Sequence, residues 1–168
     1  MLSDEYRPSL LVETVRARGH PSVVASHRTT FELTRESHLT TRGDCVLAVA
    51  ADKGPRDLDR RIREALQNDE ARVIAVLRAG GETFTARGRG SQGLSLTHPK
   101  EMVFRKSRFI SDRTVMVASD RAACDVPRDM VAALRNPDTR VELTLSVLVP
   151  QQGSMTSLGE TRRRRPSH

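Results

Sequence analysis

The sequence predicts a mainly β, α+β domain built from one unit used twice, each running strand, strand, strand, helix, strand. The first observation is a repeat: Asp44–Leu77 aligns without a gap on Asp112–Leu145, at an offset of 68, with 12 identities in 34 positions. The second is that only 3% of residues are aromatic and Trp is absent, so Val, Leu, Ile, Met and Ala must build the core. Two such units favour an internally duplicated, pseudo-twofold barrel or barrel-like sandwich with two helices. Upstream the offset becomes 71, and the repeat there pairs Arg16, Arg18, Gly19 and His27 with Arg87, Arg89, Gly90 and His98.

The two copies are expected to share one core. They span roughly residues 12–77 and 83–145, and a unit of that size buries too little apolar surface to be stable by itself. We therefore predict a single duplicated domain over residues 10–149. An N-terminal extension, residues 1–9, precedes it, and residues 150–168 form a tail.

Hydrophobic spacing assigns the first strands of each unit. Apolar and polar residues alternate in part along Leu10–Arg18 and Val23–Thr34, which is typical of half-buried strands. Gly19-His20-Pro21 between them indicates a turn. Cys45–Ala51 is short and apolar and lies between turn-forming residues, which predicts a buried strand.

A helix is expected after the buried strand in each copy. Apolar residues there recur at helical spacing, and Asp57 and Asp125 come just ahead of them as expected N-caps. Val73–Leu77 and Val141–Val149 are then predicted as the last strands. The two apolar stripes are Leu58, Ile62, Ala65 and Leu66 in the first copy and Val126, Met130, Ala133 and Leu134 in the second.

The formal net charge of +7 is divided unevenly along the chain. Residues 151–168 hold +3 through Arg162–Arg165 and Glu160, residues 1–18 are neutral, and +4 remains for residues 19–150. The tail is polar and aperiodic, so we predict that it is disordered and basic. The modest basic bias of the body fits contact with nucleic acid, although the scarcity of aromatic residues argues against stacking platforms for single strands.

Cysteine usage and the lack of long apolar segments favour a cytoplasmic protein. Cys45 and Cys124 form no CxxC pair and do not correspond in the two copies, which is typical of a reduced compartment. The longest apolar run, Cys45–Ala51, is too short to cross a membrane. The first residues also lack the pattern of a signal peptide.

His27 and His98 are candidate catalytic residues because they recur in both copies. Symmetry can bring two such residues together near the axis that relates the copies, as acid–base partners or metal ligands. The alternative is a pair of half-buried histidines that are hydrogen-bonded to turn backbone. His20 adds a third imidazole, but no metal-ligand spacing accompanies it, so we predict no metal site.

The junction between the buried strand and the helix carries an acid followed by a base in both copies. Asp52 and Asp120 are candidate catalytic residues, and Lys53 and Arg121 are candidate binding residues. An acid and a base at the carboxyl end of a strand can bind an anion and position a proton donor. The alternative is a capping Asp beside a solvated Lys or Arg.

An Arg-x-Arg-Gly segment also recurs in both copies and suggests a basic surface. Arg18 and Arg89, together with Arg28 and Lys106, are candidates for binding the phosphates of RNA or DNA. The alternative is that these residues lie on edge strands, where Lys and Arg protect against aggregation.

The sequence therefore favours a binding module for nucleic acid or another polyanion. The alternative is a small-molecule enzyme or ligand-binding barrel with a site between the two repeats, and a structural subunit of a larger assembly is a third hypothesis. The common nucleotide-binding and hydrolase motifs are absent from the sequence. The sequence indicates neither a cofactor nor an oligomeric state.

Three segments resemble an archaeal family, domain of unknown function 371: GHPSVVASHRTTFELT, LTTRGDCVLAVAADKG and LTHPKEMVFRKSRFISDRTVMVASDRAACD. The resemblance covers roughly residues 10–147. It implies an archaeal, cytoplasmic protein with a duplicated fold, and it implies no activity. The chain differs from the family's usual pattern at Thr41, where Pro is common, and at Asp120-Arg121, where a Lys is common.

Overall fold

The computed structural model describes residues 9–150. In this part of the chain, the first half contains three strands, a helix and a fourth strand, and the second half repeats that order. A short 3-10 turn precedes each helix, at Pro55–Asp57 and Ala123–Asp125. The strands and helices are β1 (Ser9–Arg18), β2 (Thr30–Thr34), β3 (Val46–Ala48), α1 (Arg60–Leu66), β4 (Arg72–Ala79), β5 (Glu82–Arg89), β6 (Glu101–Arg105), β7 (Thr114–Met116), α2 (Arg128–Leu134) and β8 (Arg140–Val149).

The strands form two four-stranded sheets. The first sheet has the order β1-β8-β4-β5 and is antiparallel throughout. The second sheet has the order β3-β2-β6-β7, with an antiparallel central pair and parallel outer pairs. In both sheets the order is unchanged when each strand is exchanged with its counterpart from the other half of the chain.

The two sheets do not form a closed barrel, which corrects the barrel prediction. Between the sheets only isolated bridges are found within residues 9–150, at Arg18–Val49 and Arg89–Val117. The reason is that β3 and β7 are three residues long and irregular in register. They are too short to form a ladder with the first sheet.

The core contains apolar side chains from both halves of the chain. Phe31 stacks on Phe104 with ring centroids 4.4 Å apart and meets Phe84 edge-on at 5.6 Å. Ile62 from α1 and Met130 from α2 are buried in the same cluster. The core is thus continuous across the halves. The duplication itself stays a prediction.

The glycine that ends each Arg-x-Arg-Gly segment is explained by a close approach to a helix end. A Cβ on Gly19 would lie 2.2 Å from the Asn136 carbonyl oxygen, just after α2, and one on Gly90 would lie 2.4 Å from the Leu66 carbonyl oxygen at the end of α1. His20 N–H also donates to the Leu134 carbonyl oxygen at 2.8 Å. Each outer strand of the first sheet therefore leads into a contact with the helix of the other half.

The expected N-caps are wrong, because a 3-10 turn separates each strand end from the helix. Asp57 accepts from the Gly54 N–H at 2.9 Å and Asp125 accepts from the Ala122 N–H at 2.8 Å, so both close that turn. The N-cap of α1 is Asp59, which accepts from the Arg61 N–H at 2.9 Å. No helix within residues 9–150 is long and apolar enough to cross a membrane.

Candidate functional site

The outer surface of the first sheet is rich in arginine. Side chains alternate between the core and this surface along all four strands. Its outward positions include one acidic residue, Glu142, and exposed aliphatic residues such as Leu10 and Val12, which are 60% and 56% exposed. We call this surface the arginine face, defined by Arg16, Arg18, Arg72, Arg78, Arg87, Arg89 and Arg140.

Strand register sorts six of these arginines into two clusters. The first cluster is Arg72, Arg87 and Arg89, in which Arg72 and Arg89 are direct cross-strand partners on β4 and β5. The second cluster lies at the diagonally opposite corner of the sheet, on β1 and β8, where Arg18 pairs with Arg140. The second cluster is Arg16, Arg18 and Arg140.

Between the clusters the arginine face carries small or uncharged side chains. Register places Thr14, Thr144, Val76 and Thr85 in one row across the middle of the sheet. Glu142 is the cross-strand partner of the two arginines nearest to it, Arg16 and Arg78. The face therefore has two positive ends and a neutral centre.

An open groove of about 550 Å³ lies at the first cluster. Its walls include the three arginines of the cluster and Arg108, from the loop after β6. Leu10, Ile74 and Leu148 supply its apolar surface. The groove thus combines positive charge with aliphatic contact.

The arginine face presents its charge to solvent. Within residues 9–150, none of its seven arginine side chains takes part in an ion pair or a side-chain hydrogen bond. Cross-strand neighbours of like charge repel each other. An anionic partner would relieve this repulsion, so the geometry suits the binding of several phosphates.

Asp52 and Asp120 lie at the two outer edges of the first sheet, where each hydrogen-bonds strand backbone. Asp52 Oδ1 accepts from the Arg16 N–H at 3.0 Å on β1, and Asp120 Oδ1 accepts from the Arg87 N–H at 2.8 Å on β5. The backbone N–H of each Asp donates to the carbonyl of the same arginine. Each Asp thus satisfies both the backbone N–H and the carbonyl of an arginine at a sheet edge.

The bases next to these acids bind the same edges. Lys53 Nζ donates to the Thr14 carbonyl at 3.0 Å and to Glu13 at 2.9 Å. Arg121 donates to the Thr85 carbonyl at 3.3 Å. The acid satisfies a backbone donor and the base satisfies an acceptor, which explains structurally why the order recurs in both halves of the chain.

The structure does not bring the two repeated histidines together. Thr30 pairs with Arg105 and Thr34 with Glu101 in the antiparallel β2–β6 pair. His27 precedes Thr30 by three residues and His98 precedes Glu101 by three residues, so they lie at opposite ends of this pair.

Each repeated histidine accepts hydrogen bonds from turn backbone. His27 Nδ1 accepts from the Thr30 N–H at 3.1 Å, and His98 Nδ1 accepts from the Glu101 N–H at 2.8 Å. This arrangement matches the alternative to a catalytic role, in which the two histidines are half-buried and hydrogen-bonded to turn backbone. No group of three or more His, Cys, Asp or Glu side chains within residues 9–150 is arranged to hold a metal ion.

Arg28 and Lys106 lie near one end of the second sheet. Lys106 N–H donates to the Thr29 carbonyl at 2.8 Å, next to Arg28, and Lys106 Nζ lies 3.4 Å from Asp125. These two candidates are therefore separate from Arg18 and Arg89, which are on the arginine face. The basic tail lies outside the described residues.

A buried acid in the second sheet was missed by the sequence reasoning. Glu32 lies in β2 and is 6% exposed, and its cross-strand partner in β6 is Val103. Cys45 Sγ donates to Glu32 Oε1 at 3.7 Å. Arg113 binds Glu101 nearby at 2.8 Å. The available signal was an acid placed directly between Phe31 and Leu33. The offset of 71 aligns Glu32 with Val103, so a search for residues that recur in both halves does not select it.

Burial, followed by the charge of Glu101, raises the pKa of Glu32 to about 7, while Arg113, Cys45 and Arg105 act in the opposite direction. Burial and the neighbouring Glu32 also raise the pKa of the Cys45 thiol, to about 11. The thiol therefore stays protonated and remains a donor. Glu32 changes charge near neutral pH, within a cluster that packs β2 against β3 and β6.

Two comparisons place the chain among known proteins. Over 121 residues it is 37% identical to the uncharacterized protein MJ0206 of Methanocaldococcus jannaschii, and the alignment covers 72% of this chain and 89% of that protein. Residues 15–148, which include nearly all of the described fold, match the family described as Domain of unknown function (DUF371). The chain belongs to the DUF371 family.

Proposed function

We propose that the protein is a nucleic-acid-binding module and that the arginine face contacts the phosphate backbone. The observation that carries this proposal is the concentration of seven outward arginines against one glutamate on one sheet surface that no other element within residues 9–150 covers. The whole chain has a net charge of only +7. Neither the family description nor the relative's name mentions a ligand, so the proposal rests on this surface.

The spread of the charge favours a polymeric anion. Arginines two residues apart on a strand are about 6.8 Å apart, and neighbouring strands are about 4.8 Å apart. Arg16 and Arg18 show the first spacing, and Arg72 and Arg89 show the second. The seven guanidinium groups are distributed over the sheet, which suits a chain of regularly spaced phosphates.

The surface favours contact that is independent of base sequence. Arginine and small polar side chains on a sheet can bind phosphate oxygens. In the described part of the chain, no helix projects from the outer surface of the first sheet to enter a groove and read base edges. We also propose that the fold arose by internal duplication; the repeated element order and the positive φ values of Ala25, Leu96, Ala50 and Ala118, at equivalent places in the two halves, support this.

The alternative, a small-molecule site between the repeats, has less support. It needs His27, His98, Asp52 and Asp120 to converge. These residues instead bond local backbone at separate places in the two sheets. Their roles in stabilising turns and sheet edges account for their recurrence without a shared site.

Binding should depend strongly on salt. We expect the full chain to bind fluorescent DNA or RNA of mixed sequence in an anisotropy titration at about 50 mM salt, with a plot of log K against log salt of slope near −5 to −6 if all seven arginines contact phosphate. A variant with Arg162–Arg165 replaced by Gln measures how much the tail contributes to the affinity for nucleic acid. An absence of binding at about 50 mM salt, or complete loss of binding in the tail variant, would contradict the proposal. Binding to heparin without binding to nucleic acid would contradict it as well.

A further inference from the structure

We infer that the preferred ligand is a duplex, bound with one arginine cluster on each of its two strands. This inference rests on the proposed function and adds the form of the nucleic acid. It follows from how the two clusters are related, from the distance between them, and from the side chains that the arginine face lacks.

The two clusters are related by a half-turn about an axis perpendicular to the sheet. Exchanging β1 with β5 and β8 with β4 leaves the strand order unchanged. The same exchange moves Arg16 onto Arg87, Arg18 onto Arg89 and Arg140 onto Arg72. The axis passes through the central row, between Thr144 and Val76.

A duplex has matching symmetry, and a single strand does not. The two antiparallel strands of a duplex are related by twofold axes perpendicular to the helix, and symmetric DNA-binding proteins align their own axes with these. With the axes aligned, each cluster meets an equivalent set of phosphates. The clusters then lie on opposite strands.

The distance between the clusters fits a groove. Three steps of two residues, about 20 Å, separate the cluster centres along the strands, and about two strand spacings, about 10 Å, separate them across the strands, so the centres lie about 22 Å apart. The major groove of B-form DNA is about 12 Å wide, so this span places each cluster over a sugar–phosphate chain on either side of it. The uncharged central row then faces the groove itself.

The arginine face also lacks the side chains that single strands use. Proteins that bind single strands stack bases on aromatic residues. No aromatic side chain occupies an outward position of β1, β4, β5 or β8. Apart from the arginines, Glu142 and Ser146, threonines and aliphatic residues take those positions.

The test compares ligands and half-face variants. Anisotropy titrations of the full chain would use duplex DNA and duplex RNA of about two helical turns and each component single strand. The variants are Arg16→Gln with Arg18→Gln, and Arg87→Gln with Arg89→Gln. The matched control is Arg42→Gln with Arg56→Gln, which removes two exposed arginines outside the first sheet.

We expect a duplex of one or both types to bind at least about tenfold more tightly than its single strands. Each half-face variant should reduce the salt slope by about two, and the two variants should lose affinity to a similar extent. The control should match the wild type.

Equal or tighter binding of single strands would overturn the duplex inference and leave the proposed function intact, as would a loss confined to one half-face variant. Failure of every nucleic acid to bind would overturn the proposed function itself. Circular dichroism melting of each variant shows that a loss of affinity does not come from unfolding.

Discussion

Replacing Arg16, Arg18, Arg87 and Arg89 together with glutamine is expected to weaken nucleic-acid binding by about a thousandfold. Each exposed charge contact contributes about 1 kcal/mol, and four of them together amount to about three factors of ten. The slope of log K against log salt should become less negative by about four, because about four fewer counterions are released. Anisotropy titrations over a range of salt concentrations measure both quantities.

The fold of this variant should be unaffected. The four side chains point away from the core and make no ion pair or side-chain hydrogen bond within residues 9–150. Their backbone hydrogen bonds do not depend on side-chain charge. The Arg42→Gln, Arg56→Gln control should retain wild-type affinity. A quadruple variant that is folded and binds with an unchanged salt slope would show that the arginine face is not the interface.

Replacing Glu32 with glutamine is expected to remove most of a pH-dependent loss of stability. The pKa of Glu32 is about 7 in the folded protein and 4.5 for the unperturbed group. Folding therefore favours the protonated form, and the associated stability is fully present below about pH 4.5 and lost as the pH rises to about 7. This shift corresponds to about 3 kcal/mol between the two limits.

Urea unfolding of the wild type and Glu32→Gln across pH 4.5 to 8 would measure the effect. The wild type should lose stability relative to the variant as the pH rises, and the difference should be constant above about pH 8. Glu36→Gln is the matched control, because bonding to Lys100 lowers the pKa of the exposed Glu36 below 4.5, outside this window. If the difference in the free energy of unfolding between the wild type and Glu32→Gln stays constant over the whole pH range, Glu32 does not titrate near neutral pH.

The element order was predictable from the sequence because it depends on local patterns. The strands and helices follow hydrophobic spacing, and the repeat indicates that whatever one half forms, the other half forms too. The two sheets were less predictable. β3 and β7 are three residues long, although Cys45–Ala51 reads as a longer strand. The two sheets meet at single β-bridges, Arg18–Val49 and Arg89–Val117. This geometry depends on how the sheets twist in three dimensions, which the spacing of apolar residues along the sequence does not encode.

The candidate site was predictable in part. Arg18 and Arg89 recur at the offset of 71, and the offset of 68 matches Arg72 with Arg140. Arg78 has no arginine counterpart, and only the register of β4 against β8 places it on the arginine face. Residues that stabilise sheet edges and turns, such as Asp52 and His27, recur in both halves of the sequence just as residues of the proposed binding surface do. Recurrence alone therefore does not distinguish the two kinds of residue.

Glu32 shows the limit of using the repeat to choose candidates. It is unusual because its counterpart, Val103, is apolar. A carboxyl group in that environment is recognised from burial and from the charges that surround it, both of which arise only when β2 packs between β3 and β6.

The most direct measurement of the central claim is a nuclear magnetic resonance titration of the isotope-labelled full chain with duplex DNA or RNA. The binding proposal predicts that chemical-shift changes concentrate in β1, β4, β5 and β8 and include the side-chain Nε–H signals of both arginine clusters. The signals of Arg42 and Arg56 should stay in place. Shift changes confined to the second sheet or to residues 151–168, with the signals of both clusters unmoved, would contradict it.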